Sequence, residues 1–207
     1  MGRCVIVGGA DISDYGYVRK KLRSDDFVIF CDSGLKHLSS LQVSPGLIVG
    51  DFDSHENPHL AVETIVLPCE KDDTDTVFAV KEAVKRGFSE FLLIGVVGAR
   101  LDHTLGNISI LLYLASRGKH GCIIDDYSEM ELVGETPVSV TDDCAFFSLL
   151  NISGCAEGIT ITGAKYPLRD AVIDCEYQYG ISNEVLPGET AQVSVKTGNL
   201  LLIKIRR

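Results

Sequence analysis

The hydrophobic positions change rhythm once along the chain. Up to about residue 125, short apolar runs alternate with segments whose apolar residues recur every three or four positions. That is the pattern of parallel strands separated by helices. "RCVIVGGA" (3–10) predicts a strand and "YGYVRKKLRSD" (15–25) a helix. "FVIFCDSG" (27–34) predicts a second strand, running into a helical "LKHLSSL" (35–41). "LIVGDFDS" (47–54) and "VETIVLP" (62–68) continue the series. "DTVFAVKEAVKRG" (75–87) predicts a helix stopped at Gly87, "FLLIGVVGA" (91–99) a strand, "LDHTLGNISILLYLASRG" (101–118) a helix and "GCIIDD" (121–126) a last strand.

Beyond residue 126 the helical period fades. "MELVG", "CAFFSLLNI", "GITITG", "AVIDCEY", "AQVSVKTG" and "LLLIKI" are short, β-rich and separated by turn residues, the pattern of an antiparallel sandwich. The expected architecture is therefore an α/β domain with a mostly parallel sheet over residues 1–134, followed by an all-β sandwich over 135–207. The boundary is placed near Gly134–Pro137.

Composition narrows the function. The 207 residues are 45% hydrophobic and 23% charged, and carry no apolar run near the ~20 residues of a membrane helix. The opening "MGRCVIVGGA" leads straight into glycines, as a first strand does and a signal peptide does not. Ile6 stands where myristoylation needs Ser or Thr. Seven scattered cysteines without a C-x-x-C pair read as reduced thiols in a cytoplasmic protein, with no zinc site. A formal net charge of −10 argues against nucleic-acid and anionic-membrane partners. A phosphorylated small molecule stays possible if a divalent cation screens the acids.

In open parallel sheets ligands sit at the carboxyl ends of the strands. Here those ends carry Gly8-Gly9, then Asp32-Ser33-Gly34, Asp51 and Asp53, and Gly98-Ala99-Arg100. Gly9 could let backbone approach a phosphate or simply make a tight turn. Asp32 or Ser33 could cap the next helix or face a nucleotide. Asp72, Asp73 and Asp75, with Thr74 among them, crowd one helix start. Mutual repulsion makes capping a poor account of all three, whereas Mg²⁺ takes carboxylates together with phosphate oxygens. Asp51 and Asp53, two apart on a strand, can face the same way and share such an ion. In "GARLDHTLGN", Asp102 is placed as a helix N-cap and Arg100 offers a planar fork to an oxyanion. His103 and Asn107 share a helical face. Neither a G-x-G-x-x-G fingerprint nor a P-loop motif occurs.

"DSG", "GDFDS", "KDDTD" and "GARLDHTLGN", followed by "GAKYPL" (163–168) and "GISNE" (180–184), resemble in order and spacing the thiamine pyrophosphokinase family. The resemblance spans nearly the whole chain. It implies Mg²⁺-dependent transfer of pyrophosphate from ATP to the hydroxyl of thiamine, with release of AMP, by a homodimer whose active sites lie between subunits. It implies that Asp51, Asp53, Asp72 and Asp75 bind Mg²⁺ or orient ATP. Asp32, Ser33 and Gly34, with Gly9 and Thr74, would line the nucleotide site, and Arg100, Asp102 and Asn107 would complete it. Ser182 and Asn183 would contact thiamine. One departure is that the chain has no Trp to stack on the pyrimidine, which leaves Tyr177 and Tyr179 as nearby aromatic candidates.

Asp51, Asp53, Asp75 and Asp102 are candidates to take the alcohol's proton. Two other readings of the motifs stand beside this one. A strand ending D-x-D is also the mark of an aspartyl-nucleophile phosphatase, with Asp51 attacking phosphorus. An acidic rim could equally bind Mg-nucleotide in a regulatory module without turnover.

Overall fold

The computed structural model describes residues 2–52 and 60–207; Asp53 lies outside the described residues. The chain divides into two compact units, residues 2–126 and 127–207.

The first unit runs β1 (Cys4–Val7), α1 (Tyr15–Lys21), β2 (Phe27–Cys31), a 3₁₀ helix (Asp32–His37), α2 (Leu38–Leu41), β3 (Leu47–Gly50), β4 (Thr64–Val66), α3 (Asp75–Lys85), β5 (Glu90–Ile94), α4 (Leu101–Ala115) and β6 (His120–Ile124). Its strands pair in parallel in the order β6-β5-β1-β2-β3-β4. All four residues of β1 and of β3 are buried, as expected of parallel strands covered on both faces. α4 buries Asn107, Ile110, Leu111 and Leu114, spaced i, i+3, i+4, i+7 so that one stripe faces the core. The segment read as one helix at 35–41 forms instead a tight 3₁₀ turn and a single α turn.

Chain order reverses at β1, with β2 on one side and β5 on the other. The loops leaving β1 and β5 therefore part company, and a crevice opens between them at the carboxyl end of the sheet. That topology fixes where a site can form.

The second unit holds β7 (Ser128–Val133), β8 (Val138–Thr141), β9 (Cys144–Leu150), β10 (Cys155–Thr162), β11 (Leu168–Asp174), β12 (Gly180–Asn183), β13 (Thr190–Ser194) and β14 (Leu200–Arg206). They make two antiparallel sheets, β12-β9-β14-β7 and β11-β10-β13-β8. Phe147, Leu149, Leu200 and Leu202 from one sheet pack with Ile159, Ile161, Ile173, Ala191 and Val193 from the other, as in a sandwich. The division after Asp126 falls earlier than the 134–135 boundary expected from sequence. β7 pairs along its whole length with β14, so it belongs with the second unit.

Candidate active site

A cavity of about 540 Å³ opens at the crevice of the first unit. Its lining comes from every strand end that the sequence singles out: Gly9, Asp32, Ser33, Asp51, Thr74, Asp75, Arg100 and Asn107 all face it. The local chain explains each placement. Residues 8–10 are strapped across to β5, Gly8 N donating to Ile94 O (2.9 Å) and Ala10 N to Gly95 O (2.8 Å). Gly9 is needed there because a Cβ would lie 1.9 Å from Ser33 Oγ. His37 is buried beneath this loop. One ring nitrogen, Nε2, lies 2.9 Å from Ala10 O and the other, Nδ1, 2.7 Å from Tyr15 OH. Because a carbonyl only accepts, Nε2 carries the proton and Nδ1 accepts from the tyrosine.

Asp32 is buried at φ +28° and does not cap the helix that follows; that helix has no side-chain cap. Gly50 makes room for it, since a Cβ at 50 would meet Asp32 Cβ at 2.9 Å. Asp75 opens α3, and the hydroxyl of Thr74 caps that helix by accepting from Val77 N (3.3 Å). One oxygen each from Asp32, Asp51 and Asp75 lies within 4.8 Å of the others. Three carboxylates this close repel one another strongly unless a cation sits among them.

One cation is already there. Lys71 Nζ contacts Asp51 Oδ2 and lies 2.9 Å from Asp75 Oδ1, with only 17% of its side chain exposed. Burial works to lower the Lys71 pKa, but its hydrogen bonds to the two aspartates outweigh that and raise it, so the ammonium stays charged. Sequence reasoning passed over Lys71. Its signal was its place in "KDDTD", four residues before Asp75, where it can turn back onto the acids.

Among the described residues, the acid cluster holds Asp51 and Asp75 of the expected metal quartet, of which Asp53 lies outside the described residues. Asp32, expected to meet the nucleotide, joins Asp51 and Asp75. Asp72 is exposed and stands apart from the three, and Asp73 is drawn along α3 to Lys81 at 2.7 Å. Gly34 lies behind the lining, packed so tightly on β1 that a Cβ would come within 2.3 Å of Val7 O.

Asp102 does not cap α4; Arg100 holds the N-cap position and Asp102 falls in the first turn. Their side chains form a two-point pair, Nε to Oδ1 at 3.0 Å and Nη2 to Oδ2 at 2.6 Å, exposed at the cavity mouth. The Arg100 hydrogen bond holds the Asp102 carboxyl far below the usual carboxylate range. Asn107 donates to Val96 O at 2.8 Å and so ties α4 to the β5 loop.

In the second unit Ser182 is exposed at φ +58°, its backbone N–H bound to Ser148 Oγ at 3.0 Å. Asn183 is buried and fully engaged. It accepts from Tyr166 N (3.0 Å) and Glu184 N (2.9 Å) and donates to Tyr166 O (2.8 Å). The rings of Tyr177 and Tyr179 lie 5.4 Å apart and are exposed.

An α/β unit with a carboxylate-lined switch-point cavity, followed by a β-sandwich, is the architecture of a phosphate-handling enzyme class with a separate binding domain. Residues 18–123 match the thiamin pyrophosphokinase catalytic domain, and residues 136–200 match the thiamin pyrophosphokinase vitamin B1 binding domain. The chain belongs to the thiamin pyrophosphokinase family. A thiamine pyrophosphokinase of Bacillus subtilis (strain 168) is 28% identical over 181 residues, 84% of each chain. The crystal structure of thiamin pyrophosphokinase from Geobacillus thermodenitrificans superposes with a TM-score of 0.85 at 27% identity, over 100% of this chain and 98% of that one. The yeast enzyme shares the fold, with a TM-score of 0.73 at 14% identity over 98% and 85% of the two chains.

Proposed function

We propose that this chain is a thiamine pyrophosphokinase, moving a pyrophosphoryl group from ATP to the hydroxyethyl oxygen of thiamine and releasing AMP. The observation that carries this reading is the convergence of Asp32, Asp51 and Asp75 in the switch-point cavity of a chain from this family. The hydroxyl oxygen bonds to the β-phosphorus, the bond from that phosphorus to the α-phosphate oxygen breaks, and the alcohol proton passes to a carboxylate.

The three clustered carboxylates offer hard oxygen donors suited to Mg²⁺. Bound there, Mg²⁺ would neutralise phosphate charge during transfer. The protein's own part is positioning. Gly9 lets the Ser33 hydroxyl pack against the backbone at the cavity wall, and Arg100 at the mouth can turn its fork onto an oxyanion. Asp102 is a poor base because Arg100 holds it ionised, which leaves Asp51, Asp53 and Asp75 as the candidates to take the proton.

Ser182 and the Tyr177–Tyr179 pair supply the thiamine contacts in this reading, with Asn183 holding their loop. The homodimer, the cytoplasmic location and the absence of nucleic-acid and membrane partners belong to the same reading. Exposed Tyr177, Ile181 and Val172 favour an assembly, and the seven free cysteines suit a reducing compartment. No helix among the described residues is long and apolar enough to cross a membrane. In this reading Asp51 serves the metal site and not as a nucleophile.

The test is to incubate the protein with thiamine, ATP and Mg²⁺ and identify the nucleotide released. Thiamine-dependent AMP supports the assignment. ADP, or nucleotide loss indifferent to thiamine, overturns it. Sedimentation equilibrium reads the assembly.

A further inference from the structure

Lys71 occupies the space where an ion shared by Asp51 and Asp75 would have to sit. Its ammonium touches an oxygen of each, and Asp51 and Asp75 belong to the same cluster as Asp32. Ammonium and divalent ion are both compact cations, and at this separation their mutual repulsion sets one against the other for the same carboxylates. The lysine stem is flexible and lines the open cavity, so the ammonium has somewhere to go.

We infer that Lys71 is a resident counter-ion that competes with the divalent cation for the acid cluster and must be displaced for the metal to bind. The inference rests on the metal reading above. Its consequence is that one of the cluster's three charges is compensated before metal arrives, which lowers its affinity for a bare ion. Polyphosphate entering the cavity gives the displaced ammonium new oxygen partners, so metal and nucleotide load together.

This role differs from a merely structural one in the sign of its effect. A lysine that only braced the site would, on removal, weaken metal binding. A competing lysine would, on removal, strengthen it.

The experiment is calorimetric titration of the whole protein with Mn²⁺ alone, without nucleotide, for the wild type, Lys71→Met and Lys71→Arg. Met keeps the stem and deletes the charge; Arg keeps the charge. Mn²⁺ should bind Lys71→Met about tenfold more tightly than wild type, whereas Lys71→Arg stays near the wild type. In chelator, Lys71→Met should melt below wild type, and Mn²⁺ should restore it. If Lys71→Met does not fold, Lys71→Gln serves with the same expectation.

Equal or weaker Mn²⁺ binding by a folded neutral variant overturns the inference while leaving the metal site standing. If no variant binds Mn²⁺ and the wild type does not either, the metal reading itself falls and takes the inference with it. Tighter Mn²⁺ binding in a protein that releases no AMP would uphold the counter-ion role apart from the thiamine assignment.

Discussion

The rim of the parallel sheet and the interior of the β-sandwich treat polar groups in opposite ways. At the rim, Asp32, Asp51 and Asp75 are brought within 4.8 Å of one another with Lys71 among them, leaving negative charge in excess in a largely buried place. In the sandwich, the core between the sheets is apolar, and buried polar groups such as Asn183 have their hydrogen bonds completed by backbone. The first unit can also complete a buried charge when nothing is to be bound. Arg3 meets both oxygens of Asp26, at 2.9 and 2.8 Å, and also donates to Lys21 O at 2.7 Å. The crowding of the three aspartates is therefore a property of that site and not of the unit, as expected where charge is kept for a ligand.

The sharpest way to break this contrast is to damage each region in turn. Phe147 is wholly buried between the two sheets of the sandwich. Phe147→Ala should lower unfolding free energy by about 3–5 kcal/mol, read from the shift of the urea midpoint. Asp75→Asn should do the reverse of this in kind. Turnover of thiamine should fall about 100-fold, roughly 2.7 kcal/mol of barrier. Stability without metal should move by no more than about 1 kcal/mol, because relieved repulsion offsets the lost helix-dipole contact. If Asp75→Asn unfolds the protein as readily as Phe147→Ala, the acids are structural and the contrast is false.

Within the sandwich, two neighbouring residues refine it. Asn183→Ala strands the backbone groups of Tyr166 and Glu184 and should cost about 1–3 kcal/mol in urea unfolding. Ser182→Ala removes an exposed hydroxyl and should change stability by at most about 0.5 kcal/mol, while raising KM for thiamine. A stability loss shared equally by both variants would mean that the loop has no division between support and contact.

The sequence makes these two regions legible to different degrees, for physical reasons. Strands buried on both faces, such as Cys4–Val7, show as unbroken apolar runs ending in glycine, and the i, i+3, i+4, i+7 stripe of α4 shows by its period. The positions of Gly9, Asp51 and Thr74 follow from topology, since strand ends of a parallel sheet share one rim. Three things do not follow. β8 and β12, four residues each, are too short to show a period. Asp102 leaves α4 uncapped because its carboxylate pairs with Arg100, a choice set by side-chain reach. And Asp32 enters the acid cluster because Gly50 leaves room for it at a left-handed φ, a fit that requires two strands to be in register. Lys71 is hidden by the same cause: a cation's partner is a matter of space, not of spacing.

The smallest expected effect concerns the support beneath the rim. His37 is buried, and burial pushes its imidazole below the ordinary histidine value, against the opposing pull of the Ala10 carbonyl. The groups facing it are Tyr15 OH, Lys36, which also lowers it, and Asp11, which raises it slightly. Because the folded state binds the proton less readily than the unfolded chain, the unfolded state carries more protons between the two pKa values. Stability from this residue is therefore complete above the unfolded value of about 6.5 and is lost as pH falls from there through the lower folded value. Urea unfolding at pH 7.5 and pH 5.5, roughly one unit either side of that value, should show a loss in the wild type that is smaller in His37→Gln. An equal loss in both would place the acid sensitivity in groups other than this histidine. His37 would then be a packing support beneath the loop at residues 8–10, and its burial would set the position of that loop without setting how the first unit responds to pH.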